Sequence, residues 1–359
     1  MELSPIADWG GLEHAGALDD GFGPGLPTEL ADLVARRDGG ERFPAADQPL
    51  RLSGAALDGV DLSGLDLSGA DLSYAELVGC NLRGARLVRA DLTGAQLQDL
   101  DLSGAELLGV DLTGADLANA NLANAALLEA TAAEAVFFGA RCDGASFNGA
   151  DLSRTEFRAA ELIGASLVDT VLVDADFSDS QMSGADLAGA DVAGASFRDA
   201  DLHGSRLRHV LHYRDSDWIA ADITDADFTG AWNVRRHIQD INYIHEFRTQ
   251  SRKHEFLYQL WWATSDCGRS LLRWTLWSML IAFSYAALYN LVDIEWGRHD
   301  GPLSPVYFSI VTFTTLGFGD VTPTSAFGEI LVMSEVILGY LSLGGMMSIL
   351  SDKMARRAG

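Results

Sequence analysis

The sequence predicts a protein of two parts, in which a solenoid of short repeats is followed by an all-α domain that crosses a membrane twice. Apolar residues recur at every fifth position from Leu52 to Leu207. Two long apolar segments follow, at about 271–292 and 327–350. Because a helix of about 20 apolar residues crosses a bilayer, each of these segments is long enough to be a transmembrane span.

The repeat cannot belong to an ordinary helix or strand. It has 32 consecutive centres, which are Leu, Phe, Met or Val at all positions except Ala132 and Cys142, and a small apolar residue often stands two positions earlier. A period of 3.6 or 2.0 residues would scatter these positions around the surface of the element. A coil with four short sides places every centre inside and leaves the acidic residues outside, which is typical of a solenoid.

The units read Ala-Asp-Leu-Ser-Gly or Ala-Asn-Leu-Ala-Asn, and this motif resembles the pentapeptide-repeat family. The resemblance implies a right-handed quadrilateral β-helix in the cytosol over residues 51–232, which we call the repeat domain. Trp218 and the centres after it are one residue out of step with the earlier centres. A bulge or loop is therefore expected near His209–Arg214.

Residues 1–50 are predicted to hold a tail and a capping helix at Thr28–Arg37, because a solenoid needs its ends covered. Thr28 is the expected N-cap of this helix. The tail has no basic, cleavable leader, which favours a cytosolic N-terminus.

Charge separates the two parts of the chain. Residues 51–232 hold 30 acidic residues against 11 arginines, whereas residues 233–359 hold 11 of each sign. An acidic surface disfavours contact with nucleic-acid phosphates and anionic lipid, so no nucleic acid is expected as a partner. The three cysteines lie far apart and form no metal-binding motif, and no cofactor is expected.

Residues 233–270 are predicted to form an amphipathic linker helix. Apolar residues fall at helical spacing, and Arg248, Arg252 and Lys253 lie among them. Such a helix either lies on the membrane surface or packs between the two domains or against a neighbouring subunit, and both alternatives remain open. Ser265 or Asp266 is expected to cap the helix that follows.

Basic residues predict the orientation of the spans. Lys and Arg cluster before the first span and in the short tail 353–359, whereas Arg298 is alone between the spans. By the positive-inside rule both termini lie in the cytosol and the connection faces outward. The sequence therefore predicts a two-span protein of the plasma membrane.

The connection carries the most specific motif of the chain. A short apolar helix is expected at about 304–314, and it runs into Thr-Leu-Gly-Phe-Gly-Asp at 315–320. This closely resembles the Thr-Val-Gly-Tyr-Gly-Asp signature of potassium channels. The resemblance covers 271–352 and implies a two-span pore domain with a re-entrant pore helix and a selectivity filter at 315–319, which assembles as a homotetramer and conducts K⁺.

The residue types fit the chemistry of a filter. Backbone carbonyls from four chains can replace the water around K⁺. Carbonyls of successive residues face one side if alternate residues are left-handed, and Gly317 and Gly319 adopt such angles without steric cost. The expected K⁺ sites therefore lie at Thr315, Leu316, Gly317 and Phe318.

Three residues are expected to support the filter, namely Asp320, Tyr307 and Thr314. Some potassium channels place a carboxylate partner for the filter Asp where this sequence has Val311, so Tyr307 is the expected partner of Asp320. Phe318 stands in place of the Tyr of the signature, which removes a hydroxyl behind the filter.

The second span contains the candidate gating residues. Gly339 and Gly344 are candidate hinges, and the alternative for such glycines is close helix packing. Helical spacing places three residues on one face, where they are expected to line the inner cavity: Tyr340, Leu343 and Met347.

Glu335 is an ionisable group within the membrane, so a functional role is the first hypothesis. The alternative is a protonated carboxyl that bonds to Thr312 or Ser309.

These features favour a potassium-selective channel whose repeat domain serves assembly or gating, and no motif supports an enzyme. Its expected partners are K⁺, the bilayer and copies of the same chain, and no regulatory ligand or protein is indicated. One alternative is a poorly selective cation channel. Another is a membrane-anchored acidic β-helix that binds other proteins by imitating the charge pattern of DNA.

Overall fold

The computed structural model describes residues 27–42, 45, 48–297 and 301–358. The chain divides into two compact units between Tyr243 and Ile244. The predicted N-terminal tail up to residue 26 and Arg298 lie outside the described residues, as do the side chains of Arg356 and Arg357.

The repeats of the first unit wind into a four-sided β-helix. The residue before each centre forms a parallel bridge with the corresponding residue of the next coil, as Asp71 does with Asp91. The centres and the residues two positions earlier form one continuous core, in which Ala115 and Leu117 are 0% exposed. The four-sided coil predicted from the five-residue period is therefore confirmed, as is the β-helix that the resemblance implied.

The corners of the coil explain the polar part of each repeat. Asp71 Oδ1 accepts hydrogen bonds from the backbone N–H and the hydroxyl of Ser73, at 3.2 and 2.6 Å. These bonds hold the pKa of Asp71 below its usual value. The residue two positions after a centre is left-handed, with φ of 69° at Gly69 and 57° at Asn119. Gly, Asn and Asp tolerate this conformation best, so they recur at this position.

The predicted shift of register is also confirmed. Asp191 bridges Leu211 at a separation of 20 residues, whereas Ser196 bridges Asp217 at a separation of 21. The extra residue therefore lies between Leu211 and Asp217. Beyond it, Trp218 returns to the core and its ring stacks on Phe197 with 4.3 Å between the centroids.

Helix α1 (Thr28–Asp38) buries Leu30 and Leu33 in the core of the repeats. The prediction that Thr28 caps this helix was wrong, because Thr28 is already helical and Pro27 is the N-cap, with φ −51° and ψ 133°. The carbonyl of Pro27 accepts the N–H of Ala31 at 3.0 Å. The φ of Pro27 is within the helical range but its ψ of 133° is extended, so the helix begins directly after it.

The linker contains two helices, and the single helix predicted over 233–270 was wrong. Helix α2 (Trp232–Thr249) and helix α3 (Arg252–Ser265) are separated by two residues. Ser251 is the N-cap of α3, and its hydroxyl accepts the N–H of His254 at 3.4 Å. A serine side chain competes with the helical bonding of the backbone in this way, so the helix ends and restarts here.

The residues expected to cap the next helix do not do so. Asp266 is the left-handed C-cap of α3, with φ 54°. The N-cap of helix α4 (Leu271–Leu288) is Ser270, whose hydroxyl accepts the N–H of Arg273 at 3.2 Å. Asp266 thus ends α3, and Ser270, which was not among the expected caps, begins α4.

The second unit contains the membrane helices. After α4 come a 3₁₀ turn (Tyr289–Leu291), strand β1 (Ile294–Glu295), helix α5 (Ser304–Phe313), strand β2 (Thr322–Pro323) and helix α6 (Ala326–Ala358). The segments Leu271–Leu291 and Ala326–Ser351 are long and apolar enough to cross a membrane. Helix α6 continues through the region predicted as a short tail.

Candidate functional site

The glycine-rich segment follows directly from the C-terminal end of α5. The N–H groups of Thr315 and Leu316 donate to the carbonyls of Thr312 and Val311, each at 3.0 Å. These bonds satisfy carbonyls in the last turn of the helix, which otherwise lack partners. The end of α5 and the start of the segment are thereby held together.

Left-handed backbone angles occur at every second residue of this segment. The φ values of Thr315, Gly317 and Gly319 are 59°, 49° and 72°. The two glycines thus have the angles that the sequence predicted. In an extended chain, successive residues face opposite sides, and alternation of the sign of φ is what allows successive carbonyls to face the same side.

Glycine is favoured at these two positions by the backbone angle and not by a lack of room for a side chain. A Cβ on Gly317 or Gly319 would meet no atom within 4 Å, yet its φ would still be unfavourable for an L-residue. The sequence analysis did not predict a left-handed Thr315. The position of Thr315 two residues before Gly317 was the signal from which its left-handed angle could have been predicted. A conformation of this kind costs about 1–3 kcal/mol in a residue other than glycine.

The segment is exposed in the single chain. Leu316 and Phe318 expose 62% and 65% of their surface.

Three contacts fix the C-terminal end of the segment. The hydroxyl of Tyr307 donates to Asp320 Oδ2 at 2.9 Å, which is the bond expected from the sequence. Val321 is buried against Tyr289 and Phe308. Beyond it, β2 pairs with β1 in an antiparallel register, and this pairing was not predicted. The segment is therefore held at both ends.

Thr314, the third expected support residue, bonds to its own helix. Its hydroxyl donates to the carbonyl of Ile310 at 2.6 Å. Thr314 therefore closes the last turn of α5.

Glu335 is fully buried between three helical segments. Its carboxyl contacts the hydroxyl of Ser309 on α5 and the hydroxyl of Tyr289 in the 3₁₀ turn. Of the two expected hydroxyl partners, Ser309 is the one that bonds to Glu335. Tyr289 was missed, because no local pattern connects it to Glu335.

The glycines of α6 have different surroundings. A Cβ on Gly339 would lie 2.1 Å from the carbonyl oxygen of Phe313, and a Cβ on Gly345 would lie 2.3 Å from the ring of Trp274. A Cβ on Gly344 would meet no atom within 4 Å. Gly339 and Gly345 are thus close-packing positions, which is the alternative that the sequence left open. Gly344 has free space.

The residues expected to line the cavity lie on one side of α6 and are exposed in the single chain. Tyr340, Leu343 and Met347 expose 61%, 49% and 57% of their surface. Their assignment to an inner cavity stays a prediction.

Two tryptophans of α4 connect the linker side to the second span. The indole N–H of Trp277 donates to the carbonyl of Ala263 on α3 at 3.1 Å. The indole N–H of Trp274 donates to the carbonyl of Ser342 on α6 at 2.8 Å. A displacement of α3 can therefore reach α6 through α4.

The repeat domain carries an acidic surface with ladders of ion pairs. Arg86 lies between Asp66 and Glu106, at 3.5 and 3.0 Å, and all three face outward from successive coils. In the part of the chain that the structure describes, no group of three or more His, Cys, Asp or Glu side chains is placed to hold a metal ion.

Two families match separate parts of the chain. Pentapeptide repeats match in eight copies, over 51–88, 90–127, 115–154, 135–174 and 175–211. The family described as "Ion channel" matches residues 273–356. The N-terminal part thus consists of pentapeptide repeats, and the C-terminal part is an ion-channel domain.

A curated relative and two solved structures are similar to parts of the chain. Potassium channel K1 of Plasmodium berghei is 30% identical over 80 residues, which are 21% of this chain but only 4% of that protein. HetL, a pentapeptide repeat protein from Nostoc, is 29% identical and aligns with 55% of this chain and 93% of its own, with a TM-score of 0.36. Another pentapeptide repeat protein from Nostoc is 42% identical over 28% of this chain and 78% of its own, with a TM-score of 0.25.

Proposed function

Because the chain joins pentapeptide repeats to an ion-channel domain in one membrane protein, we propose that four copies of it form a potassium-selective channel. The observation that carries this proposal is the alternation of left-handed angles at Thr315, Gly317 and Gly319 directly after an apolar helix. An ordinary surface loop has no need of this pattern, whereas a filter needs it to direct successive carbonyls at one ion path.

Four such segments around a common axis would present stacked rings of oxygens. The carbonyls of Thr315, Leu316, Gly317 and Phe318 would replace the hydration shell of K⁺, and the hydroxyl of Thr315 would add the innermost ring. The exposed Leu316 and Phe318 side chains support assembly, because neighbouring copies would cover them. The C-terminal end of α5 carries partial negative charge and would favour cations below the filter.

The proposed channel lies in the plasma membrane with both termini in the cytosol. The excess of Lys and Arg before the first span and after the second supports this orientation. The acidic repeat domain would then remain in solution below the membrane, where its charge disfavours contact with anionic lipid.

The repeat domain would act on the pore through α3 and α4. The chain continues from α2 into α3, α3 bonds to Trp277, and Trp274 of the same helix bonds to α6. A force on α3 would therefore tilt the first span and move the inner half of the second. Rotation of packed helices about a few residues is a common way to switch a protein.

Selectivity is tested by recording currents from purified protein in liposomes that separate K⁺ from Na⁺. The current should reverse near the potassium equilibrium potential, and barium should block it. Gly317→Ala should abolish conduction without loss of assembly, because φ of 49° is unfavourable for alanine. Gly344→Ala adds the same methyl group in free space and should keep the selectivity. Equal permeability to Na⁺ and K⁺ in the intact protein would refute the proposal.

The role of the repeat domain is tested by comparing open probability in three proteins: the intact chain, a chain without the repeats, and a chain with a flexible Gly/Ser insertion beside Asp266. We expect deletion and insertion to change the open probability in the same direction. If all three proteins behave alike under every stimulus, the repeats serve assembly or localisation.

A further inference from the structure

Four polar groups form a buried chain of contacts between the membrane helices. Tyr289, Ser309 and Glu335 are each 0% exposed. The hydroxyl of Tyr289 donates to Glu335 Oε2, and Glu335 Oε1 lies within hydrogen-bond distance of Ser309 Oγ. Ser309 Oγ also lies 2.6 Å from the carbonyl oxygen of Ala282. The chain of contacts therefore runs from α6 to α5 and from both to the first span.

The number of available protons favours a neutral Glu335. Ser309 has one hydroxyl proton. The carbonyl of Ala282 can only accept, so the contact between them uses that proton. The contact between Ser309 Oγ and Glu335 Oε1 then needs its proton from Glu335. If Glu335 were ionised, Ser309 would have one proton for two acceptors, the carbonyl oxygen of Ala282 and Glu335 Oε1. One of these two oxygens would then face Ser309 Oγ with no proton between them.

The surroundings of Glu335 favour the same state. Among the described residues, the titratable group that contacts Glu335 is Tyr289, and Tyr285, one turn earlier, bonds instead to Ser334 at 2.9 Å. Helix α5 presents Ser309, which does not titrate in this range. A carboxylate buried among hydroxyls within a membrane domain is unfavourable, whereas a neutral acid can donate to one neighbour and accept from another.

We propose that Glu335 is a neutral carboxylic acid in the channel, and that the series Tyr289–Glu335–Ser309–Ala282 is a positioning device for the pore helix α5. In this series each hydroxyl donates once, and the acid accepts from Tyr289 and donates to Ser309. The positioning role rests on the proposed channel function, whereas the protonation state does not.

The relation between α5 and α6 explains why this series matters for the filter. Ser309 and Phe313 are four residues apart on α5, and their partners Glu335 and Gly339 are four residues apart on α6. Residues at this spacing share one face of a helix. The two helices therefore meet at two points one turn apart, and the second point lies just before the filter.

Infrared spectroscopy of the reconstituted wild-type protein tests the protonation state. The difference spectrum against Glu335→Gln at neutral pH should contain the carbonyl band of a protonated carboxylic acid. A carboxylate band in its place would overturn the proposal. This measurement needs no ion current, so it remains decisive even if the protein conducts no K⁺, in which case only the proposed function fails.

Permeability measurements test the positioning role. In Glu335→Gln the amide can donate to Ser309 and accept from Tyr289, so the K⁺/Na⁺ permeability ratio should stay within about twofold of wild type. Glu335→Leu and Ser309→Ala leave buried polar groups without partners and should lower the ratio about tenfold or more. Tyr285→Phe removes a neighbouring hydrogen bond outside the series and is the matched control.

Assembly of each variant is checked on the purified protein, so that a folding defect is separated from a loss of selectivity. If Glu335→Leu fails to assemble, Glu335→Gln and Ser309→Ala still decide the outcome. A loss in Glu335→Gln equal to that in Ser309→Ala would overturn the proposal, since the amide keeps both hydrogen bonds of the neutral acid and the channel would then need a charge at this position.

Discussion

Replacing Gly339 with alanine tests how the second span holds the pore helix. The added Cβ would lie 2.1 Å from the carbonyl oxygen and 3.0 Å from the carbonyl carbon of Phe313. Contacts between carbon atoms are most favourable near 3.5–4.0 Å, and a Cβ essentially never lies within 3.0 Å of another heavy atom, so α5 and α6 would have to separate by about 1 Å. Overpacking of this kind costs about 1–3 kcal/mol, whereas alanine gains at most about 1 kcal/mol over glycine within a helix.

Gly344→Ala and Gly345→Ala are the matched controls on the same helix. Alanine at 344 would meet no atom within 4 Å and should be neutral or slightly stabilising, whereas alanine at 345 would lie 2.3 Å from the ring of Trp274. We expect thermal unfolding of the purified protein to occur at lower temperature in the variants at 339 and 345, and not in the variant at 344.

The K⁺/Na⁺ permeability ratio separates the two roles considered for Gly339. If Gly339 provides close packing, its replacement moves Phe313 and the filter that follows, so the ratio should fall. If Gly339 is a hinge, open probability should change while stability and the ratio stay the same. The second result would refute the packing argument.

Three further predictions concern the repeats and the cysteines. Leu112→Asp should unfold neighbouring coils because an unpaired buried charge costs several kcal/mol, whereas Asp116→Asn should change the free energy of unfolding by no more than about 0.5 kcal/mol; similar losses in chemical denaturation would mean that inside and outside are exchanged. Hydrogen bonds from Ser73 lower the pKa of Asp71, so the contribution of Asp71 to stability is complete above its unfolded pKa and is lost as pH falls through its folded pKa. The unfolding midpoint should therefore fall in acid, and Asp71→Asn should weaken this pH dependence. An unchanged pH dependence in Asp71→Asn would contradict this role. Burial raises the pKa of Cys80 to about 11, so in the folded protein alkylation at neutral pH should modify Cys267 first; equal rates would indicate that the coils open.

The fold of the repeat domain could be predicted because each unit makes the same contacts. Each residue contacts its counterpart one coil later, as Asp71 does Asp91. Because the separation is the same throughout, the constant period of the sequence predicts these tertiary contacts. The shift of register before Trp218 was equally predictable, since an inserted residue moves the centres of all later repeats by one position. Helix ends were less predictable. Thr28, Ser265 and Asp266 all have side chains that can cap the start of a helix. The path of the backbone instead made Pro27 the cap of the first helix and placed Ser265 and Asp266 at the end of α3.

The backbone conformation of the candidate filter was predictable at Gly317 and Gly319, because glycine is the residue that reaches left-handed angles without strain. The sequence by itself thus determined the five-residue coil, the two spans and the position of the glycine-rich segment. Only the tertiary structure decided that Gly339 packs against Phe313 and that Tyr289 reaches Glu335 across 46 residues of sequence. Such contacts depend on how separate helices are placed against one another, and no pattern within a single helix contains that information.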